Sequence, residues 1–396
     1  MQIYADNAAT TRLSDTALTA MLPYLQQEYG NPSSLHSVGQ RAQEALTDAR
    51  ARIAQRLGCQ PTEVIFTSGG SEADNQAIRS VAAWGKIKGK THIISTAFEH
   101  HAVLHTLDAL KKEGFTVTLL DVHEDGMVSA QQVEEAITDQ TCLVTVMYAN
   151  NEIGTVQPIA EIGEVCRRRG VYFHTDAVQA VGHLPVNVAE QNIDLLSLSA
   201  HKFHGPKGIG VLYARRGVPL FPLIHGGAQE RGRRGGTENI PAIVGMAAAL
   251  DEACDRLEED TATLTALRDR LIAGLSKIPH SVLNGNREHR LPGTVNFCFE
   301  GIEGESLLLL LDDKGVYASS GSACTSGSLD PSHVLLAIGR PHEIAHGSLR
   351  LSLSPDTTQE EVDYMVEAVT DVVAYLRTIS PVWRNLEAGI QEFIIK

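Results

Sequence analysis

"HIISTAFEHHAVLHTLDALKKEGFTVTLLDV", residues 92–122, decides the fold. Its ends, "HIIST" and "FTVTLLDV", are short runs rich in β-branched and apolar residues, the signature of strands. Between them "AVLHTLDALKKEG" sets Leu104, Leu107 and Leu110 at helical spacing and stops on a glycine. The same alternation recurs from about residue 60 to residue 215, where "EVIFTS", "CLVTVMYA", "VYFHTDA", "IDLLSLSA" and "GIGVLYA" supply further strand-like runs. Alternating strands and helices predict an α/β unit built on a mostly parallel sheet with both faces covered. In such sheets ligands sit at the carboxyl ends of the strands, so the residues just after each run matter most.

Beyond this unit, residues 243–278 read as one long helical stretch leading out of it. A smaller α+β unit follows, with strands at "GTVNFCFE" and "GSLRLSL" and a helix at "GESLLLLLDDKG". Its last helix, "TQEEVDYMVEAVTDVVAYLR", lines up Val362, Val366, Val369, Val373 and Leu376 as an apolar stripe.

The chain has 396 residues, enough for two or three domains. With 43% hydrophobic and 20% charged residues it has the balance of a globular enzyme, and no run approaches the roughly 18 apolar residues of a membrane span. The start, "MQIYADNAATT", carries neither a basic nor an apolar leader, so a cytoplasmic setting is expected. A formal net charge of −15 argues against nucleic acid as the main ligand, because phosphate backbones call for a basic footprint. The six cysteines form no C-x-x-C pair and no zinc-like spacing, so no resident metal is expected. Five of them lie in apolar or helical surroundings. Cys324 alone stands among small residues, in "SSGSACTSGS" (319–328), where a thiol is a candidate nucleophile on a mobile loop.

Three strand ends carry chemistry. "EVIFTS" runs into "GGSEADNQAIRS", a glycine turn opening a helix, which suits a phosphate without being a P-loop. "VYFHTDAVQA" ends on Asp176, whose bland alternative is a helix N-cap. "LLSLSAHKFHGPKG" places Lys202 just past an apolar strand, where desolvation lowers an amine's pKa and frees it for a Schiff base. A phosphate nest, an acid for a pyridinium nitrogen and a Schiff-base lysine are the protein parts that pyridoxal phosphate needs. "AFEHHAVLH" adds His100 after another strand, and "SLRLSL" puts Arg350 in a strand, where a solvated guanidinium is the commoner case and a carboxylate clamp the functional one.

Together "DNAATT" (6–11), "FTSGGSEADN" (66–75), "ANNEIGTVQPI" (149–159), "HTDAVQ" (174–179), "SAHKFHGPKGIG" (199–210), "ERGRRGGTEN" (230–239) and "SSGSACTSGSLDPSHV" (319–334) resemble the NifS/IscS cysteine desulfurases of the class V aminotransferase group, most closely the NifS branch. The resemblance implies an aminotransferase-like fold, fold type I of the pyridoxal-phosphate enzymes, with a seven-stranded sheet in a large domain (16–256). A small α+β domain (1–15 and 257–396) would carry the mobile cysteine loop, about 319–332. It implies Lys202 as the cofactor-bearing lysine, Asp176 at the pyridine nitrogen, Gln179 at the ring oxygen, His100 stacked on the ring and Asn151 near ring and substrate. Gly70, Ser71, Ser199 and His201 would hold the phosphate, joined by Thr237 from the partner subunit of a homodimer. Arg350 with Asn31 would hold the carboxylate of L-cysteine. Cys324 would take the sulfur as a persulfide, releasing L-alanine, for an iron–sulfur scaffold or another acceptor protein, and would itself be a transient iron–sulfur ligand. Nitrogenase maturation, general iron–sulfur assembly and transfer-RNA thiolation stay open as destinations. A selenocysteine lyase or an aminotransferase of the same fold stays open as an alternative activity.

Overall fold

The computed structural model describes residues 1–321 and 331–395. A short first strand, β1 (Ile3–Tyr4), is followed by the strands of the large sheet: β2 (Val64–Thr67), β3 (His92–Thr96), β4 (Thr116–Leu120), β5 (Thr141–Thr145), β6 (Tyr172–Asp176), β7 (Leu195–Ser199) and β8 (Gly210–Ala214). These seven lie in the order β2-β8-β7-β6-β5-β3-β4. The five neighbours from β7 to β4 run parallel, and β8 is antiparallel to both of its partners. The reason for the reversal is the link: only residues 200–209 join β7 to β8, and a parallel return needs a crossover of about a dozen residues or more.

Successive strand residues face opposite sides of the sheet, and each side has its own core. Phe66, Ile94, Val144, Leu196, Val211 and Tyr213 belong to one core, while their neighbours Ile65, Ile93, Leu143, Leu195 and Leu212 belong to the other. Both faces are therefore buried across the sheet up to β3, while the edge strand β4 is largely exposed.

The expected long helix over 243–278 is two, Ile240–Asp255 and Leu257–Leu275, broken at Arg256 with φ −100° and ψ 2°. No glycine or proline marks the break. The signal is the run Glu258, Glu259 and Asp260, three acids in the first turn of the second helix, where the helix dipole favours negative charge. Next come β9 (Ser281–Leu283), β10 (Thr294–Phe299), β11 (Val316–Tyr317) and β12 (Ser348–Ser352). β12, β10 and β9 form an antiparallel sheet, and β11 pairs in parallel with β1. A third core holds Ile3, Ala5 and residues between Leu264 and Leu376, including Val362, Val369 and Val373 of the helix Gln359–Ile379. Among the described residues no helix is long and apolar enough to cross a membrane.

One buried ion pair ties the helix Ser37–Leu57 to the loop before Ile240. Arg50 donates through Nη2 to Glu230 Oε1 (2.6 Å), and through Nη1 to Glu230 Oε2 (2.8 Å) and the Val64 carbonyl (2.7 Å). The Phe66 N–H donates to Glu230 Oε2, and the guanidinium lies 4.5 Å from the centre of the Phe66 ring. Removing one partner strands the other charge in a buried site, which costs about 3–5 kcal/mol. Glu230→Ala should therefore lower the urea midpoint markedly, and the apolar double replacement Arg50→Met with Glu230→Leu should lose less than Glu230→Ala does.

Candidate active site

The carboxyl ends of β2, β6 and β7 converge on a cavity of about 230 Å³. Lys202 closes the short turn Ala200–Lys202 after β7, and its Nζ donates to the carbonyls of Ala8 (2.6 Å) and Ala9 (2.7 Å). It is part-buried and lines the cavity, so the alternative of a solvated loop lysine does not hold. Asp176, the last residue of β6, is 5% exposed and accepts from the Val178 N–H (3.0 Å). No helix follows it, so it is not an N-cap. Burial pushes its carboxyl up, against the opposing pull of His100 and Lys202.

The turn after β2 is built for a close approach. Gly69 has φ 147°, a backbone conformation that L side chains rarely adopt, and a Cβ on Gly70 would lie 2.6 Å from Val178 Cγ2. The helix Gly70–Ile87 starts here, and the first N–H groups of a helix have no partner within it. Ser71, Ser199 and His201 stand beside them. These residues and Gly70 also line a more open pocket of about 400 Å³, to which Lys207 contributes a cation that sequence reading did not single out, although it lies in "HKFHGPKG". His201 is pushed down to about 4 by burial, with Lys202 and Lys207 adding to the shift, so it is a neutral hydrogen-bonding group near pH 7.

His100 caps the helix His101–Lys112, its Nδ1 accepting from the Ala102 N–H (3.1 Å), which leaves the neutral ring's proton on Nε2. Gln179 donates to the Ala8 carbonyl (2.9 Å), and Asn151 lines the cavity. Arg350 departs from its commoner solvated reading: it is 1% exposed, pairs with Asp6 (2.7 Å) and donates to the Asn151 carbonyl (3.1 Å). The cause is that β12 is covered on both sides, by Leu349 and Leu351 in the third core and by the cavity wall on the other. Arg350 Nε has no hydrogen-bond partner among the described residues.

Two expected residues are not brought to the cavity of this chain. Thr237 is exposed in the loop before Ile240, and Asn31 is exposed with its Oδ1 accepting from the Ser33 N–H. Cys324 lies outside the described residues. The residues on either side of that segment are tied to the cavity wall. Ser319 and Arg350 exchange backbone hydrogen bonds, and the Ser332 hydroxyl donates to Glu152, next to Asn151. The other five cysteines are free thiols with raised pKa values, Cys59 pushed up to about 12 and Cys142 and Cys298 to about 11, in each case by burial first.

The donor set fits pyridoxal phosphate: a helix N-terminus with hydroxyls for a phosphate, an acid at the cavity wall and an amine beside it. A family model described as Aminotransferase class-V matches residues 3–365. A cysteine desulfurase IscS from Methanosarcina thermophila is 55% identical over 379 residues, covering 96% of this chain and 94% of that protein. A solved NifS-like protein matches with a TM-score of 0.89 at 39% identity, over 95% of this chain and 100% of that one. The structure of SspA in complex with cysteine matches with a TM-score of 0.79 at 40% identity, over 90% of this chain and 99% of that one.

Glu99, immediately before His100, makes the fold itself sensitive to pH. Its Oε1 accepts from the Thr96 hydroxyl (2.6 Å) and the Met147 N–H (2.9 Å), its Oε2 has no partner among the described residues, and burial pushes it from 4.5 up to about 8. Below about 4.5 it is protonated in folded and unfolded chains alike; as pH rises to about 8 the unfolded chain gives up the proton while the folded chain keeps it, so stability is lost through that window. Glu99→Gln mimics the protonated form, so above about pH 8 its Tm should exceed that of the wild type by at least about 3 °C, and the gap should close on acidification.

Proposed function

The chain belongs to the class-V aminotransferase family and is a cysteine desulfurase; we propose that it holds pyridoxal phosphate on Lys202 and passes the sulfur of L-cysteine to Cys324. The observation that supports this most is the meeting of the Lys202 amine, Asp176, Arg350 and the glycine turn in one cavity. When bound, the cofactor supplies an electron sink for the substrate's α-carbon, which makes the carbon–sulfur bond labile.

The protein's own groups divide the remaining work. The helix Gly70–Ile87, Ser71, Ser199 and His201 hold the phosphate, Asp176 keeps the ring nitrogen protonated, Gln179 reaches the ring oxygen and His100 stacks on the ring. Arg350 binds the substrate carboxylate, for which its Nε is a donor still to be used. Asn151 lies beside ring and substrate. Lys202 takes and returns the proton at the α-carbon. The Cys324 thiolate attacks the substrate sulfur; the bond between that sulfur and carbon breaks, one between the two sulfurs forms, and carbon takes up a proton. The sum is L-cysteine plus thiol giving L-alanine plus persulfide, with no external oxidant.

The persulfide then serves an iron–sulfur scaffold or another sulfur-acceptor protein, in a cytoplasmic setting. A homodimer completes the site, with Thr237 reaching the phosphate of the other copy. This is supported by an exposed apolar face on the helix Asp15–Gln26, where Leu18, Leu22 and Leu25 are 42, 49 and 55% exposed at helical spacing.

Cys324→Ser should keep the yellow absorbance of bound cofactor and yet lose alanine production from L-cysteine by about a thousandfold or more, whereas Lys202→Ala should lose both. Wild-type turnover in the serine variant would overturn the persulfide route. Arg350→Lys should raise KM for L-cysteine about tenfold or more with a far smaller change in kcat, because a point charge replaces a planar fork.

A further inference from the structure

Asp74 is an acid that no role above uses. It lies one turn into the helix Gly70–Ile87, is 1% exposed and lines the cavity. Oxygens of Asp74 and Asp176 and a nitrogen of His100 all lie within 4.8 Å of one another. Asp74 Oδ1 has no hydrogen-bond partner among the described residues, and His174 Nε2 lies 3.6 Å from it. That imidazole is already engaged by Thr145 (2.8 Å) and Ser197 (3.0 Å), and burial pushes it down to about 3, so it offers no positive charge.

Two buried carboxylates this close cannot both ionise. The groups around them decide which one keeps the proton. Asp176 accepts a backbone N–H from Val178, and His100 and Lys202 beside it both pull its carboxyl down. Asp74 faces Asp176 and the neutral His174 from β6, and Glu99 from the loop after β3, with a hydroxyl of Ser197 pulling the other way. Burial first, and then the charge of Asp176, push Asp74 upward. The negative charge therefore settles on Asp176.

We propose that Asp74 is the protonated half of an acid pair with Asp176, holding one proton in the cavity wall so that a single negative charge faces the cofactor's ring nitrogen. Asp74 is thus a positioning residue that acts through Asp176. The inference rests on the reading of Asp176 as the ring nitrogen's partner.

The test is infrared spectroscopy of the full chain near neutral pH, with and without isotope-labelled aspartate, alongside titration with pyridoxal phosphate. A protonated-carboxyl band that shifts on labelling and disappears in Asp74→Asn is the expected result. Asp74→Asn should keep cofactor affinity within about threefold and leave the visible spectrum unchanged, whereas Asp176→Asn should weaken binding about tenfold or more. Three results would overturn the proposal: no such band in the wild type, a band that survives Asp74→Asn, or equal weakening of cofactor binding by both variants. Should Asp74→Asn fail to fold, the labelled wild-type band still decides whether the pair holds a proton. A wild-type chain that takes up no pyridoxal phosphate would defeat the reading of Asp176, while the band would still report on Asp74.

Discussion

The ammonium of Lys202 rests on two carbonyl oxygens, those of Ala8 and Ala9. The segment that supplies them is a seam between the parts of the molecule. Thr11 donates its N–H to His201, while Ala8 and Asn7 bond to Ser352 and Asp6 pairs with Arg350. One stretch of chain, Asp6–Thr11, thus sets the distance between the lysine at the end of β7 and the arginine on β12. A charged amine facing a cavity needs such acceptors, because an unpaired polar group in a buried place is costly. Carbonyl dipoles of Ala8 and Ala9 help to hold it there.

The sheet determines what meets at that seam. Parallel strands end on the same side, so acid, histidine and lysine arrive together although they lie far apart in sequence. β8 runs the other way and brings no site residue; it places β2 in the same direction as β7, and so brings the glycine turn to the common edge. The direction of one strand joins the phosphate cradle to the rest of the cavity.

Much of this was legible in the chain itself. The strands buried on both faces are visible as continuous apolar runs, the edge strand β4 as a β-branched one, and Asp176 and Lys202 stand out because they lie at or just past the end of such a run. The strand pattern around Arg350 leaves a solvated guanidinium and a carboxylate clamp both open, because alternation suggests one wet face, and only the tertiary structure shows both faces of β12 covered. The break at Arg256 lacks glycine or proline, so helical periodicity ran straight through it. Asp74 and Glu99 look like ordinary polar positions in a helix and a loop, and their meaning comes from which carboxyl faces them across the fold. Thr237 and Asn31 stand outside this chain's own cavity, and no pattern within a single chain shows what a second copy would cover.

The raised pKa values of the remaining thiols bear on a hazard specific to sulfur carriers. A sulfane atom moves to whichever thiolate reaches it, and at neutral pH a thiol with a pKa of about 11, as for Cys142 and Cys298, is ionised only about once in ten thousand molecules. Burial thus keeps Cys142 and Cys298 poor competitors for a sulfane atom near neutral pH.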